Sequence, residues 1–145
     1  MPLTLSRFLT WHQRLFPEDY TMFNPVIGGQ LRGDAPMQIG SCRIDKPVVH
    51  FEAPSRTILE SELRGLTNLK TTLMRAAITH LCFVTIHPLD DSNGRITHLL
   101  TDLALAQAEQ QSVRFYAMSV GILAKRHSYY EVLEQTQKGD LDTTA

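Results

Sequence analysis

The chain predicts a mainly α-helical single domain that carries one small β-hairpin. Three observations lead there. Apolar residues recur at helical spacing through most of the 145 residues. Only about 30–51 abandons that spacing, for two short runs of strand character. No internal repeat, low-complexity tract or linker interrupts the chain, so 1–145 reads as one domain, long enough to bury a sizeable core. Composition agrees: 43% apolar and 20% charged residues are globular values. The formal net charge of −1 supplies no field for nucleic acid or an anionic membrane, so neither is expected as a partner. Neither a signal peptide nor a spanning apolar run is visible, and Cys42 and Cys82 read as reduced thiols of a cytoplasmic protein.

Each element has its own pattern. From Leu3 to Phe16, the residues Leu5, Phe8, Leu9, His12, Leu15 and Phe16 recur near helical spacing, and Trp11 beside them reads as core. Pro17 to Pro25 ends this helix, and Gly28-Gly29 breaks the chain. Gln38-Ile39-Gly40 and Val48 to Phe51 read as strands around a turn at Asp45-Lys46-Pro47. Such a hairpin is marginal alone, so it is either a bare surface ornament or a device packed on the domain. Arg32, just before it, reads equally as a surface charge or a site residue.

Ser55 to Leu69 predicts an amphipathic helix with Ile58, Leu59, Leu63, Leu66 and Leu69 inward, and Glu60, Glu62 and Arg64 in water. Thr71-Thr72 starts the next helix, which runs to His87. Within it Cys82 reads as a small buried apolar residue, and His80 as a hydrogen-bonded core histidine two turns before His87. Another helix leaves at Ile96 and carries Leu99, Leu100 and Leu103. Glu109 to Ser112 is a polar connection. One long helix is expected over Val113–Gln137, capped at Gly139, with Tyr129 and Tyr130 packing.

Between two apolar helices lies the nonamer His87-Pro88-Leu89-Asp90-Asp91-Ser92-Asn93-Gly94-Arg95. A connection needs only a turn, and Pro88 with Asn93-Gly94 suffices. The remaining residues suit chemistry. Ser92, Asn93 and Gly94 precede a helix, so their N–H groups are expected unpaired and facing outward, a site for anions. Arg95 opposes the dipole there, which makes more sense if it forks onto a phosphate. Asp90 and Asp91 offer the hard oxygens that Mg²⁺ takes beside phosphates. His87, with an ordinary pKa near ~6.5, suits a general base. Together they suggest transfer of a nucleotide or phosphoryl group; the same residues also fit an Asp-rich capped turn whose histidine stabilises its helix.

These residues resemble the Fic-domain motif His-Pro-Phe-x-(Asp/Glu)-Gly-Asn-Gly-Arg-x-x-Arg, which here reads His-Pro-Leu-Asp-Asp-Ser-Asn-Gly-Arg-Ile-Thr-His. Gly29-x-x-Arg32 with Met37-Gln38-Ile39 resembles the family's flap, and Val49 to Pro54 the segment after it. The resemblance implies a Fic-like helical domain whose flap, about 30–51, holds a target protein by strand addition, and whose motif loop is 87–98. It implies AMP transfer from ATP, the co-substrate, to a Ser, Thr or Tyr hydroxyl. His87 is then the general base, Asp91 the ligand of Mg²⁺, and Ser92, Asn93, Gly94, Arg95 and His98 the nucleotide and phosphate positions. Glycine at 94 resembles the AMP-transferring branch rather than the Doc-like kinases, which carry lysine there.

Three positions depart from the motif. Leu89 replaces a phenylalanine that packs beneath the loop, Ser92 a glycine that lets phosphate approach, and His98 an arginine that engages the terminal phosphate. The family's inhibitory Ser/Thr-x-x-x-Glu-(Gly/Asn) segment is not found in these residues, as in a shortened relative without the usual off switch. Three readings follow: an adenylyltransferase impaired by its motif, an inactive Fic-like module that binds a partner at the flap, or a vestigial fragment of marginal stability.

Overall fold

A computed structural model describes residues 2–17, 26–41, 48–70, 73–111 and 117–138. Its six helices and two strands among these residues follow the expected mainly α design. The helices are α1 (Leu5–Leu15), α2 (Leu59–Asn68), α3 (Leu73–Ile86), α4 (Asn93–Glu109), α5 (Met118–Ala124) and α6 (Arg126–Gln137); the strands are β1 (Gln38–Ser41) and β2 (Val48–Glu52).

The core forms where α3 and α4 lie along each other, covered by α1 and α2. From α1, Phe8 meets Phe83 of α3 edge to face, ring centres 5.2 Å apart at 85°. From α2, Leu59, Leu63 and Leu66 enter, one face of a helix by their spacing. Ile58 does not join them: it is 41% exposed, because Arg56–Ile58 winds as a 3-10 turn whose tighter repeat rotates it off that face. From α4 come Ile96 and Leu100, and from the turn before it Leu89, fully buried. Both sides of the motif turn are therefore anchored in the core. Trp11 and Cys82 pack half-buried against it, Cys82 as a free thiol; Cys42 lies outside the described residues.

β1 and β2 pair antiparallel, Gln38 opposite Glu52 and Ser41 opposite Val48, with a register shift between Ile39 and Gly40. The turn at Asp45 to Pro47 lies outside the described residues. Below the strands the Ala53 N–H donates to Met37 O at 2.8 Å. Val48 and Val49 are exposed.

The single helix expected over 113–137 is instead two. Lys125 leaves the helical region (φ −121°, ψ 36°) and its N–H turns back to the carbonyls of Gly121 and Ile122. Neither glycine nor proline marks the break, so tertiary packing decides it: the new direction lays Tyr129 against His80 and buries Leu133. Both tyrosines pack: their rings meet edge to face with centres 5.3 Å apart, and Tyr130, 54% exposed, also lies against the Arg126 guanidinium. The cap expected at Gly139 is outside the described residues. Among the described residues no helix is long and apolar enough to cross a membrane.

Candidate active site

The site begins where α3 stops. The His87 N–H bonds to Phe83 O at 3.1 Å, and His87 itself then turns left-handed at φ +48°. Helix ends commonly give that conformation to glycine, and another residue there costs about 1–2 kcal/mol. Its Nδ1 lies 3.1 Å from Val84 O, a carbonyl that only accepts, so Nδ1 carries the proton and Nε2 is bare. Burial pushes the imidazole below its ordinary pKa and Arg32 adds to this, against the Val84 carbonyl and the Asp91 carboxylate. His87 is thus a neutral base at pH 7.

Pro88 and Leu89 are fully buried. Asn93, 2% exposed, closes the turn above them: its Oδ1 accepts the Leu89 N–H at 3.0 Å and its Nδ2 donates to Leu89 O at 2.7 Å. The Asn93 side chain therefore staples the loop and is not aimed outward at an anion. Ser92 is left-handed (φ 62°, ψ 18°), the geometry that suits the glycine it replaces. Its N–H is not free as expected, because the Asp91 carboxylate accepts it.

What remains open is the start of α4 itself. Among the described residues no side chain caps it, and the first main-chain bond back is Ile96 N–H to Ser92 O at 3.0 Å, which leaves the amides of 93–95 ahead of the helical ladder. A side chain added at Gly94 would meet nothing within 4 Å. These two facts fit an anion. Arg95 stands beside them, its guanidinium 5.9 Å from the centre of the Phe16 ring and its Nη2 donating to Ser92 Oγ. Arg95 is thus held by the residue that departs from the motif.

Asp90 and Asp91 are exposed. Among the described residues no three His, Cys, Asp or Glu side chains converge on a metal position. A single carboxylate at an open phosphate site is nonetheless the donor set Mg²⁺ uses when phosphates complete its shell, so Asp91 fits that ion.

His98 is half-buried and stacks on His80, ring centres 5.8 Å apart at 23°. Burial lowers its pKa, so it is no replacement for a guanidinium. His80 is the core histidine expected. Thr101 gives its proton to Thr97 O at 2.8 Å, so its oxygen accepts from His80 Nδ1–H at 3.0 Å; the Tyr129 hydroxyl then donates to Nε2 at 3.0 Å. Burial, helped by His98, lowers His80 to about 4.

Two residues beneath the turn change the picture. Arg32 is no surface charge: it is 2% exposed, its Nε donates to His87 O at 2.9 Å, and its Nη2 donates to Pro54 O. His12, read from its spacing as one more member of a helical stripe, is wholly buried and accepts the Gly29 N–H on Nδ1 at 3.1 Å. Burial lowers its pKa, against the Asp91 main chain and the carboxylates of Asp90 and Asp91. Gly29 can present that N–H because it adopts φ +81°, and a side chain on Gly28 would strike the α1 backbone at Gln13 Cα, 2.8 Å away. The one signal in the sequence was a histidine on an apolar face.

A model of the Fic/DOC family matches residues 2–105. Relatives named protein adenylyltransferase Fic are 29% identical in Culex quinquefasciatus, over 96% of this chain and 25% of that protein, and 30% identical in Aedes aegypti, over 96% and 26%. The chain thus spans about a quarter of the length of these relatives. Among solved structures, a Fic family protein from Desulfovibrio desulfuricans superposes with a TM-score of 0.70 at 22% identity, over 92% of this chain and 39% of that one. Fic-1 from C. elegans superposes at 0.63 with 24% identity, over 97% and 38%. At these identities the superpositions speak for the fold.

Proposed function

This chain belongs to the Fic/DOC family, and from that premise we propose that it transfers AMP from ATP to a Ser, Thr or Tyr hydroxyl of a target protein. One observation carries the reading: an imidazole protonated at Nδ1 and bare at Nε2 stands next to an uncapped helix start with open space at Gly94. The adenylyltransferase names of relatives at about 30% identity support it.

In this reading His87 Nε2 takes the proton of the acceptor hydroxyl as its oxygen bonds to the α-phosphorus, and the bond to pyrophosphate breaks. The amides at the start of α4 hold phosphate oxygens. Arg95 leaves Ser92 Oγ and Phe16 to grip the phosphate tail. Asp91 would hold Mg²⁺, which when bound neutralises charge on the phosphates. The β1–β2 hairpin, with Val48 and Val49 exposed, receives an extended segment of the target by strand addition.

A second reading, an inactive module that only binds a partner at the hairpin, draws on the bond from Arg95 to Ser92 and the stacking of His98 on His80. Transfer of label from α-labelled ATP with Mg²⁺ and a cell lysate decides between them. Wild type should label acceptors and His87→Ala should not. Label only from the Ser92→Gly/His98→Arg double variant would favour the binding module.

A further inference from the structure

One turn of α1 lies directly under the motif turn. His12 is 0% exposed, and its Nδ1 accepts the Gly29 N–H at 3.1 Å. A nitrogen that accepts is bare, so the ring proton sits on Nε2. That Nε2 is buried and has no hydrogen-bond partner among the described residues. A buried donor normally finds one, and an orphan in a native fold calls for a reason. The Asp91 main chain acts on this imidazole, as do the charges of Asp90, Asp91 and Arg95. One turn further on, Phe16 packs edge-on against His12, centres 5.0 Å apart at 68°, and lies under the Arg95 guanidinium.

We propose that His12 is a positioning residue for the phosphate site: its Nε2–H is the donor that engages the Asp91 main-chain carbonyl and sets the 90–92 turn. Through that turn it would determine how the Asp91 carboxylate and the α4 amides meet a nucleotide. The structure sets the Asp91 main chain against this imidazole without a full hydrogen bond; phosphates that draw the turn inward shorten the contact further, as hydrogen bonds in active sites often tighten on binding. The Gly29 bond on the opposite nitrogen holds the ring to this task. The inference rests on reading the motif turn as a phosphate site.

Two substitutions separate the two nitrogens. In His12→Asn the shorter amide reaches the Nδ1 position, keeps an acceptor for Gly29 and loses the donor. In His12→Gln the longer amide reaches the Nε2 position and keeps the donor. Calorimetric titration of the full chain with Mg²⁺ and ATP should show affinity at least tenfold weaker in His12→Asn and within threefold of wild type in His12→Gln. Amide hydrogen exchange, which needs no activity, should be at least tenfold faster at Ser92 in His12→Asn with ATP bound, and unchanged at Gly29. Equal affinity and exchange in all three proteins, or losses in both variants that follow their melting temperatures, would overturn the proposal and leave His12 as a staple for Gly29.

A wild type that binds no ATP would defeat the phosphate reading itself. Free-chain exchange at Ser92, slower in His12→Gln than in His12→Asn, would still support the contact with Asp91, and equal rates would overturn it. If His12→Asn does not fold, the ¹⁵N spectrum of wild-type imidazoles decides. It should show His12 protonated at Nε2 with that proton protected from exchange, increasingly so with ATP; a proton at Nδ1 overturns the proposal.

Discussion

Arg32 donates from Nε to the main-chain carbonyl of His87 at 2.9 Å, across 55 positions of sequence. Its Nη2 reaches Pro54 O and, at 3.5 Å, Ile86 O, while its own N–H bonds to Pro88 O at 2.9 Å. The last carbonyls of a helix have no partner within it, and the negative end of the dipole favours a cation. One buried guanidinium meets that need and joins the segment before the hairpin, the segment after it, and the candidate base.

Arg32→Met should therefore destabilise the domain by roughly 3 kcal/mol or more, since each lost bond to a charged donor is worth about 1.5–3 kcal/mol and buried carbonyls stay unpaired. Arg32→Lys, which cannot fork, should lose part of this. Urea unfolding midpoints with an unchanged slope measure both.

The pH dependence of the proposed transfer should follow from His87. Its pKa lies below the ordinary 6.5, so its basic form predominates at neutral pH. The rate should fall with acid on a limb centred below pH 6.5 and stay flat above it. His87→Ala should remove about 10²–10⁴ of the rate together with that limb. A midpoint above 6.5 would contradict the buried, neutral imidazole.

In the proposed phosphate site Ser92 should cost nucleotide binding more than it costs the fold. At φ 62° glycine relieves strain, yet it loses the bond to Arg95 and adds chain entropy, so Ser92→Gly should change stability by under about 1 kcal/mol. Combined with His98→Arg it should raise nucleotide affinity at least tenfold, by freeing Arg95 and adding a second guanidinium. Titration with ATP checks this, and unchanged affinity would mean that the loop holds no phosphate.

Stability should fall in acid through His80. Its pKa is about 4 in the folded chain against 6.5 for the free side chain, so the unfolded chain binds more protons between those values. The melting temperature should drop as pH falls from about 6.5 toward 4, with buried His12 and half-buried His87 and His98 acting in the same direction. His80→Asn keeps a donor for Thr101 without titrating, so its melting curve should depend less on pH. Equal slopes would place the effect elsewhere.

Asn93→Ala should cost roughly 2–4 kcal/mol, because both polar groups of Leu89 lose the side chain that satisfies them inside the core. Thermal melts test it. A loss that small side chains can make good would show that the turn does not depend on the staple.

Local pattern was enough for much of this protein. The 3.6-residue spacing of Leu59, Leu63 and Leu66 or of Ile96 and Leu100 is a property of consecutive residues, and so are the turn signals and the motif from His87 to Arg95. Helix existence, the hairpin, the core histidine at position 80 and the position of the candidate base were therefore legible in the amino-acid order. Only the tertiary structure decided which polar groups face which. Arg32 could not be told from a surface charge, because the carbonyls it satisfies lie 22 to 55 residues away. Asn93 pointed inward because Leu89 was buried, and the Ser92 amide was taken by a neighbouring carboxylate through the angle of one turn. The break at Lys125 carries no local signal; it depends on Tyr129 reaching His80. His12 sits on an apolar stripe in sequence, and beneath the motif turn only once α1 has packed. Periodicity records which side of an element is buried, whereas the partner of a buried polar atom is set by which distant segment arrives there.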